Sequence, residues 1–182
     1  MTTHAMVDIE TLATSPRAVI LTVGCVKFDP YTTTIPHSDF YHRLDIDAQT
    51  AMGREINDDT LGWWSQQAKH VQEEAFDPNG RIGLTEFAQE LNKYLVGVDK
   101  IWYHGANFDM VLIENLFDQL QHGRTWQFYQ LRDSRTLFEL MPTDPRKDFD
   151  QSNLHNSLED SRVQARAVQR TYAYHGVQPA RS

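Results

Sequence analysis

A mixed α/β sheet with helices on its faces is the fold the sequence predicts, and three observations predict it. Apolar and β-branched runs crowd the early part of the chain, helical periodicity dominates the rest, and short strand-like segments alternate with those helices. The early runs are Met6–Glu10, Val19–Phe28 (VILTVGCVKF) and Asp39–Leu44. The short links at Thr14–Arg17 and Asp29–Pro36 suit hairpin-like antiparallel pairing. Asp58–Gln67 reads as a short helix, and Leu84–Val96 as a longer one with Phe87, Leu91 and Leu95 on one face. Lys100–His104 is a fourth strand, ending at Gly105. Phe108–Gln121 carries the clearest helical pattern, because Leu112, Ile113, Leu116, Phe117 and Leu120 follow i, i+3, i+4 spacing. Phe128–Leu131 supplies a fifth strand and Ser134–Leu140 a helix. The polar stretch Pro142–Asn153 holds two prolines and no apolar period, and reads as a mobile loop. A last helix over Ser157–Tyr174 is ended by Gly176 and Pro179. A chain of 182 residues suits one domain, expected over residues 1–176 with a flexible tail at 177–182.

Composition excludes several classes. Hydrophobic residues make up 40% and charged residues 23%, so a core of ordinary size is available. The single cysteine, Cys25, rules out a disulfide framework within the chain. No basic and then apolar leader precedes the strand at Met6, and no apolar run approaches the roughly 18–20 residues of a membrane span, so a cytoplasmic location is expected. The formal charge of −8 runs against phosphate affinity, which draws on Lys and Arg. A carboxylate-lined pocket that binds cations reconciles the two, since two divalent ions take −8 to −4 and attract phosphate locally. Without a long basic stripe, a short strand end is a better partner than a long duplex.

Three elements carry candidate chemistry. In Asp8-Ile9-Glu10, residues two apart on a strand share a face, so the two carboxylates project together, roughly 7 Å apart, while Val7 and Ile9 turn to the core. Such a pair calls for a partner, and a divalent cation is the simplest one. Gly105-Ala106-Asn107-Phe108-Asp109 joins a strand to the strongest helix, where α/β folds place ligands. His155 precedes the last helix and Asp160 lies in its first turn. Each has an ordinary structural reading too. The strand pair could sit at a solvated edge, Asp109 could answer the helix dipole, and Ser157 with Asp160 could form a capping box that leaves His155 idle.

Taken in order, the three elements resemble the DEDD (DnaQ-like) 3′–5′ exonuclease superfamily, in the DEDDh subgroup that has a catalytic histidine and includes ribonuclease T, oligoribonuclease and polymerase proofreading subunits. Asp8-x-Glu10-Thr11 matches the first motif, Asn107-Phe108-Asp109 the second and His155-x4-Asp160 the third. The stretches DIETLAT, Trp63-Trp64, HGANFDMVLI and RDSRTL look most like phage exonuclease A and its bacterial, exodeoxyribonuclease VIII-type relatives. The resemblance implies a ribonuclease H-like fold, with a mixed five-stranded sheet of three antiparallel and then parallel strands. It implies a phosphodiester hydrolase that releases nucleoside 5′-monophosphates from single-stranded 3′ ends with two divalent cations, Mg²⁺ or Mn²⁺. Asp8, Glu10, Asp109 and Asp160 would be the metal ligands, and His155 the base towards the attacking water.

The same resemblance gives Thr11 and Leu12 to the terminal nucleotide, Leu12 as a wedge against its base, with plain core packing as the other reading of Leu12. Adjacent helix residues point about 100° apart, so at most one of Trp63 and Trp64 meets a base. The sequence does not choose between them; Trp64 is carried as a candidate contact, beside Asn107 and Phe108. Arg146 and Lys147 could reach phosphates or stay solvated. Asp133 competes with Asp109 as the third acid but precedes a helix, where an N-cap aspartate is expected. His104 is a second histidine near the site; His4, His37, His42, His70, His122 and His175 are read as packing or surface residues. The phage likeness favours DNA. Trimming of RNA is the rival activity, and a non-catalytic nucleic-acid-binding module on the same fold is the rival of another class. A homodimer is a further implication of the resemblance.

Overall fold

Strand β1 (His4–Thr11) is the centre of the sheet in the computed structural model, which describes residues 2–105, 107–150 and 152–179. It pairs antiparallel with β2 (Ile20–Phe28), which pairs antiparallel with β3 (His37–Arg43). On its other side β1 runs parallel to β4 (Lys100–Tyr103), and β4 to β5 (Leu131–Asp133). The order β3-β2-β1-β4-β5 is the expected mixed five-stranded sheet. The helices are α1 (Ile46–Ala51), α2 (Asp58–Trp64), α3 (Lys69–Phe76), α4 (Leu84–Leu95), α5 (Asp109–Gln119), α6 (Ser134–Phe138) and α7 (Ser157–Tyr174). Among the described residues, no helix is long and apolar enough to cross a membrane. Of the expected tail, residues 180–182 lie outside those described.

Strand periodicity sorts β1 into two faces. Val7 and Ile9 join Val23, Cys25 and Ile101 in the larger core, closed by Phe87 and Leu91 of α4 and by Leu112, Ile113 and Leu116 of α5. Met6 joins Val26, Phe28 and Trp102 in a second core, closed by Ala165 and Val168 of α7 and by Phe138. Every residue of β1 is buried, as a central strand covered on both faces requires. Asp8 and Glu10 alternate with Val7 and Ile9, so they lie on the α7 face.

The seat of α7 on the sheet is set by Gly24. It pairs with Asp8 across β1 and β2. A β-carbon at this position would lie 2.2 Å from the Ser157 carbonyl carbon and 2.3 Å from the Leu158 nitrogen, so only glycine admits the helix this close. Around that contact the Ser161 hydroxyl donates to the Gly24 carbonyl at 2.9 Å, and the Thr22 and Ser157 hydroxyls pair at 2.9 Å. The helix is capped by Asn156, whose side chain accepts from the Leu158 and Glu159 amides. Ser157 is therefore buried against β2 and is not the cap.

Two helices escape the sequence pattern. α1 is short and starts from an Asp45 cap, and α3 buries only Val71 and Ala75, which leaves little periodic signal. The latter helps close a third core of Leu12, Val19, Leu21 and Trp64. The fifth strand also shifts: Phe128–Gln130 form a 3-10 turn, with Phe128 and Tyr129 exposed, and the strand begins at Leu131.

Two stability predictions follow from these packings. Gly24→Ala forces α7 off the sheet and should cost about 1–3 kcal/mol or more, read as a lower midpoint in urea; an unchanged midpoint would show that α7 yields freely. His4 is buried, its Nδ1 accepts from Trp102 Nε1 at 2.9 Å, and burial pushes its pKa down to about 4. A depressed histidine contributes stability that is present above its unfolded pKa of about 6.5. That stability drains away as pH falls towards 4. Thermal melts from pH 7 to 4 should show a larger loss for the native protein than for His4→Gln, and parallel losses would refute this.

Candidate active site

One cavity of about 350 Å³ is lined by Asp8, Glu10, Asp109, Asp160 and His155, the five residues singled out from the sequence. Asp8 and Glu10 reach it from β1. Asp109 arrives because β4 pairs with β1 only as far as Met6–Trp102. Beyond that point the Ile9 amide has no partner on β4, and Asp109 Oδ1, at the first residue of α5, accepts from it at 3.2 Å. Asp109 is only 3% exposed. Asp160, in the first turn of α7, accepts the His155 amide through Oδ2 at 2.9 Å. This bond holds His155 in a left-handed backbone conformation (φ 69°), sparsely populated by non-glycine residues. Ligand atoms of Glu10, His155 and Asp160 all lie within 4.8 Å of one another.

The electrostatics are those of a cation site. Burial, followed by repulsion from Asp109, Asp160 and Glu10, holds the Asp8 carboxyl well above the usual carboxylate range. Burial, with Asp160 and Asp109, does the same to Glu10. Burial raises Asp109 to about 7 against the opposing amide bond from Ile9, and Asp160 to about 6 against that from His155. Burial lowers the pKa of His155. Four carboxylates in one buried cavity are costly as anions, and a bound divalent cation removes that cost.

Gln164 supplies an independent test of fit. One turn beyond Asp160 on α7, its Nε2 donates to Asp8 Oδ1 at 2.8 Å. Its Oε1 is buried and has no hydrogen-bond partner among the described residues. The carboxylate dictates which end of the amide faces Asp8, so the orphan is an acceptor. A buried carbonyl oxygen beside four carboxylates calls for a donor, and a cation or a water bound to one would supply it. The donor set, all oxygen apart from His155, fits a hard divalent ion. The sequence signal for Gln164 was its i+4 spacing from Asp160, which shares a helix face.

The expected substrate contacts divide. Phe108 lines the cavity, whereas Asn107 is exposed and lies outside the lining. Trp64 is corrected: it is 2% exposed, packs in the third core, and its Nε1 donates to the Thr11 carbonyl at 2.9 Å. Trp63, 40% exposed, meets the His155 ring edge-on with centroids 4.7 Å apart. Leu12 is corrected too, being buried in the same core with no face on the cavity. The Thr11 hydroxyl is turned to the Ala13 carbonyl at 2.7 Å, which closes the end of β1. Asp133 caps α6 through the Arg135 and Thr136 amides and stays outside the cavity.

The sequence profile described as 3′-5′ exoribonuclease Rv2179c-like domain matches residues 3–172. The chain belongs to this family. It is a 3′–5′ exonuclease, a hydrolase acting on nucleic acid. No curated protein matches the chain in sequence. Among solved structures, the nuclease domain of 3′hExo, a DEDDh family member bound to rAMP, superposes with a TM-score of 0.65 at 13% identity, over 96% of this chain and 92% of that one. E. coli exonuclease I with a dT13 oligonucleotide gives 0.67 at 14% identity, over 95% of this chain and 41% of that one. Exonuclease X with 5′ overhanging duplex DNA gives 0.60 at 14% identity, over 96% and 94%. These likenesses show the ribonuclease H-like fold. The Rv2179c-like chain thus spans about two-fifths of exonuclease I. Likeness to phage exonuclease A rests on the sequence stretches alone.

Metal and tryptophan variants provide the checks. Mg²⁺ or Mn²⁺ at a hundredfold excess over its Kd should stabilise the Rv2179c-like domain by about 2.7 kcal/mol, seen as a rise in Tm that EDTA reverses and Asp109→Asn weakens. No rise would remove the cation site. Trp64→Ala should cost about 3–5 kcal/mol, whereas Trp63→Ala should leave the urea midpoint nearly unchanged.

Proposed function

We propose that Asp8, Glu10, Asp109 and Asp160 hold two divalent cations, Mg²⁺ or Mn²⁺, and that His155 accepts the proton of the water that hydrolyses the terminal 3′ phosphodiester of a single-stranded RNA. The observation that carries this reading is the convergence of four acids and one histidine from β1, α5 and the start of α7 on one cavity. Bound cations of this kind acidify water and offset charge on a departing 3′ oxygen.

The chain's own residues do the rest. Asp8 faces Asp109 and Asp160 and is held by Gln164, so it would hold metal together with those two acids. Burial keeps the His155 imidazole neutral near pH 7, the form a base needs. The hydrogen bond that its backbone N–H donates to Asp160 fixes the turn, and the edge contact with Trp63 aims the ring. Phe108 and the exposed face of Trp63 offer apolar surface for the terminal base, in place of the Leu12 and Trp64 contacts. Hydrolysis at this position releases nucleoside 5′-monophosphates.

The family description favours RNA as the substrate. The phage-exonuclease stretches favour DNA, and the 2′-hydroxyl is the feature that separates the two. A binding module without activity would be expected to have lost part of the constellation, and all five groups are present.

Digestion of 5′-labelled RNA and DNA oligonucleotides of one sequence tests the proposal. Shortening from the 3′ end with Mg²⁺ or Mn²⁺, abolished by EDTA and faster on RNA, is expected. Cleavage from the 5′ end, or full activity in EDTA, would defeat it. His155→Ala should lower kcat by about 10²–10⁴ while calorimetry shows metal binding intact; a collapse of metal affinity would reassign His155 as a ligand.

A further inference from the structure

A guanidinium shares the cavity with the four carboxylates. Arg146 comes from the segment between α6 and α7, whose described residues form no helix or strand. Asp144 grips it through Nε to Oδ1 at 3.0 Å and Nη2 to Oδ2 at 2.8 Å, and also accepts the Arg146 amide at 2.9 Å. Nη1 donates to His104 Nε2 at 3.0 Å.

The direction of that last bond is settled by its neighbours. The Ser134 hydroxyl donates to the Tyr103 carbonyl at 2.9 Å, so its oxygen accepts from His104 Nδ1 at 3.0 Å. His104 then carries its proton on Nδ1 and offers the Nε2 lone pair to Arg146. Burial and the positive charges of Arg146 and Arg135 push its pKa down to about 4, which keeps the ring neutral in use. The segment bearing Arg146 is tied down as well, against the mobile loop expected from its polarity. Arg170 Nη1 donates to the Pro145 carbonyl at 2.8 Å and pairs with Asp148 at 3.1 Å. Arg166 and Arg170 each stack over the Phe149 ring at 4.3 Å.

An arginine that only balanced charge would need no such frame. Here a carboxylate and a neutral imidazole set the plane of the guanidinium on the wall of the cavity, and its field reaches Asp160. A planar guanidinium held in place recognises phosphate oxygens by paired hydrogen bonds. Building on the exonuclease reading above, we infer that Arg146 contacts the non-bridging oxygens of the phosphate being cleaved and of the nucleoside 5′-monophosphate released, with Asp144 and His104 as positioning residues.

The comparison of a nucleoside 5′-monophosphate with its nucleoside, in Mg²⁺, isolates the phosphate contact. Arg146→Gln should bind the monophosphate about tenfold more weakly and the nucleoside unchanged, and should lose about 100-fold in kcat/KM, mostly in kcat. Its Tm should stay close to that of the unaltered protein and its metal affinity should not fall, since the charge removed repels cations. His104→Phe and Asp144→Asn should each show a smaller loss, again confined to the monophosphate. Equal weakening of monophosphate and nucleoside would mark a structural role and overturn the inference, as would native monophosphate binding in Arg146→Gln. An unaltered protein that releases no mononucleotides would instead overturn the exonuclease reading, and the binding comparison still decides the role of Arg146.

Discussion

The close approach of α7 to the sheet at Gly24 is the constraint on which the site depends. Gly24 lies opposite Asp8 on the neighbouring strand, and the first turn of α7 rests where a side chain at Gly24 would stand. The helix thereby brings Asp160, Gln164 and the His155 turn over the strand that bears Asp8 and Glu10. Moving α7 outwards by the width of a methyl group would pull its donors away from those of β1. Ser161 and the Thr22–Ser157 pair hold the helix at that depth with polar groups that would be costly to leave unpaired.

The second organising feature is charge. The fold buries four acids where only counter-charge makes burial tolerable, and burial, with mutual repulsion at Asp8 and Glu10, raises their pKa values. The positive side is distributed differently. His155 and His104 are both held towards the neutral form by burial, one beside Glu10 and Asp160, the other as an acceptor for a guanidinium. Neutral imidazoles leave Arg146 as the one permanent cation among the described residues lining the cavity, whereas charged ones would add to its repulsion of bound metal ions. On the proposed two-cation reading, the net charge of −8 no longer conflicts with a nucleic-acid substrate, because part of the negative charge would be neutralised in the cavity.

Much of the fold and the site was legible before the structure. The strand register of Asp8 and Glu10 follows from a period of two, and the placement of Asp109 and Asp160 in the first turns of helices follows from periodicity and capping. The errors fall where local rules are silent. Trp63 and Trp64 are adjacent, and helix geometry says they diverge without saying which turns inward; the answer came from the Leu12–Val19–Leu21 core beneath α2. Leu12 looked available because it follows the motif, yet the bulge after Glu10 and the turn at Ala13 carry it into that core. α3 carries only three apolar residues, Val71, Ala75 and Phe76, too few in eight positions to make a clear helical period.

By itself, the sequence determined which residues share a face or a helix end: the paired carboxylates of β1, Asp109 opening α5 and Asp160 in the first turn of α7. Such relations span a few residues and obey fixed backbone periods. Tertiary structure alone decided that Gln164 would brace Asp8, that Trp63 would flank His155, and that His104 and Asp144 would frame Arg146. Gln164 and Asp8, for example, lie 156 residues apart in the chain. Their meeting is set by how closely helix and sheet can pack, a matter of shape and volume across the whole fold that no local period encodes.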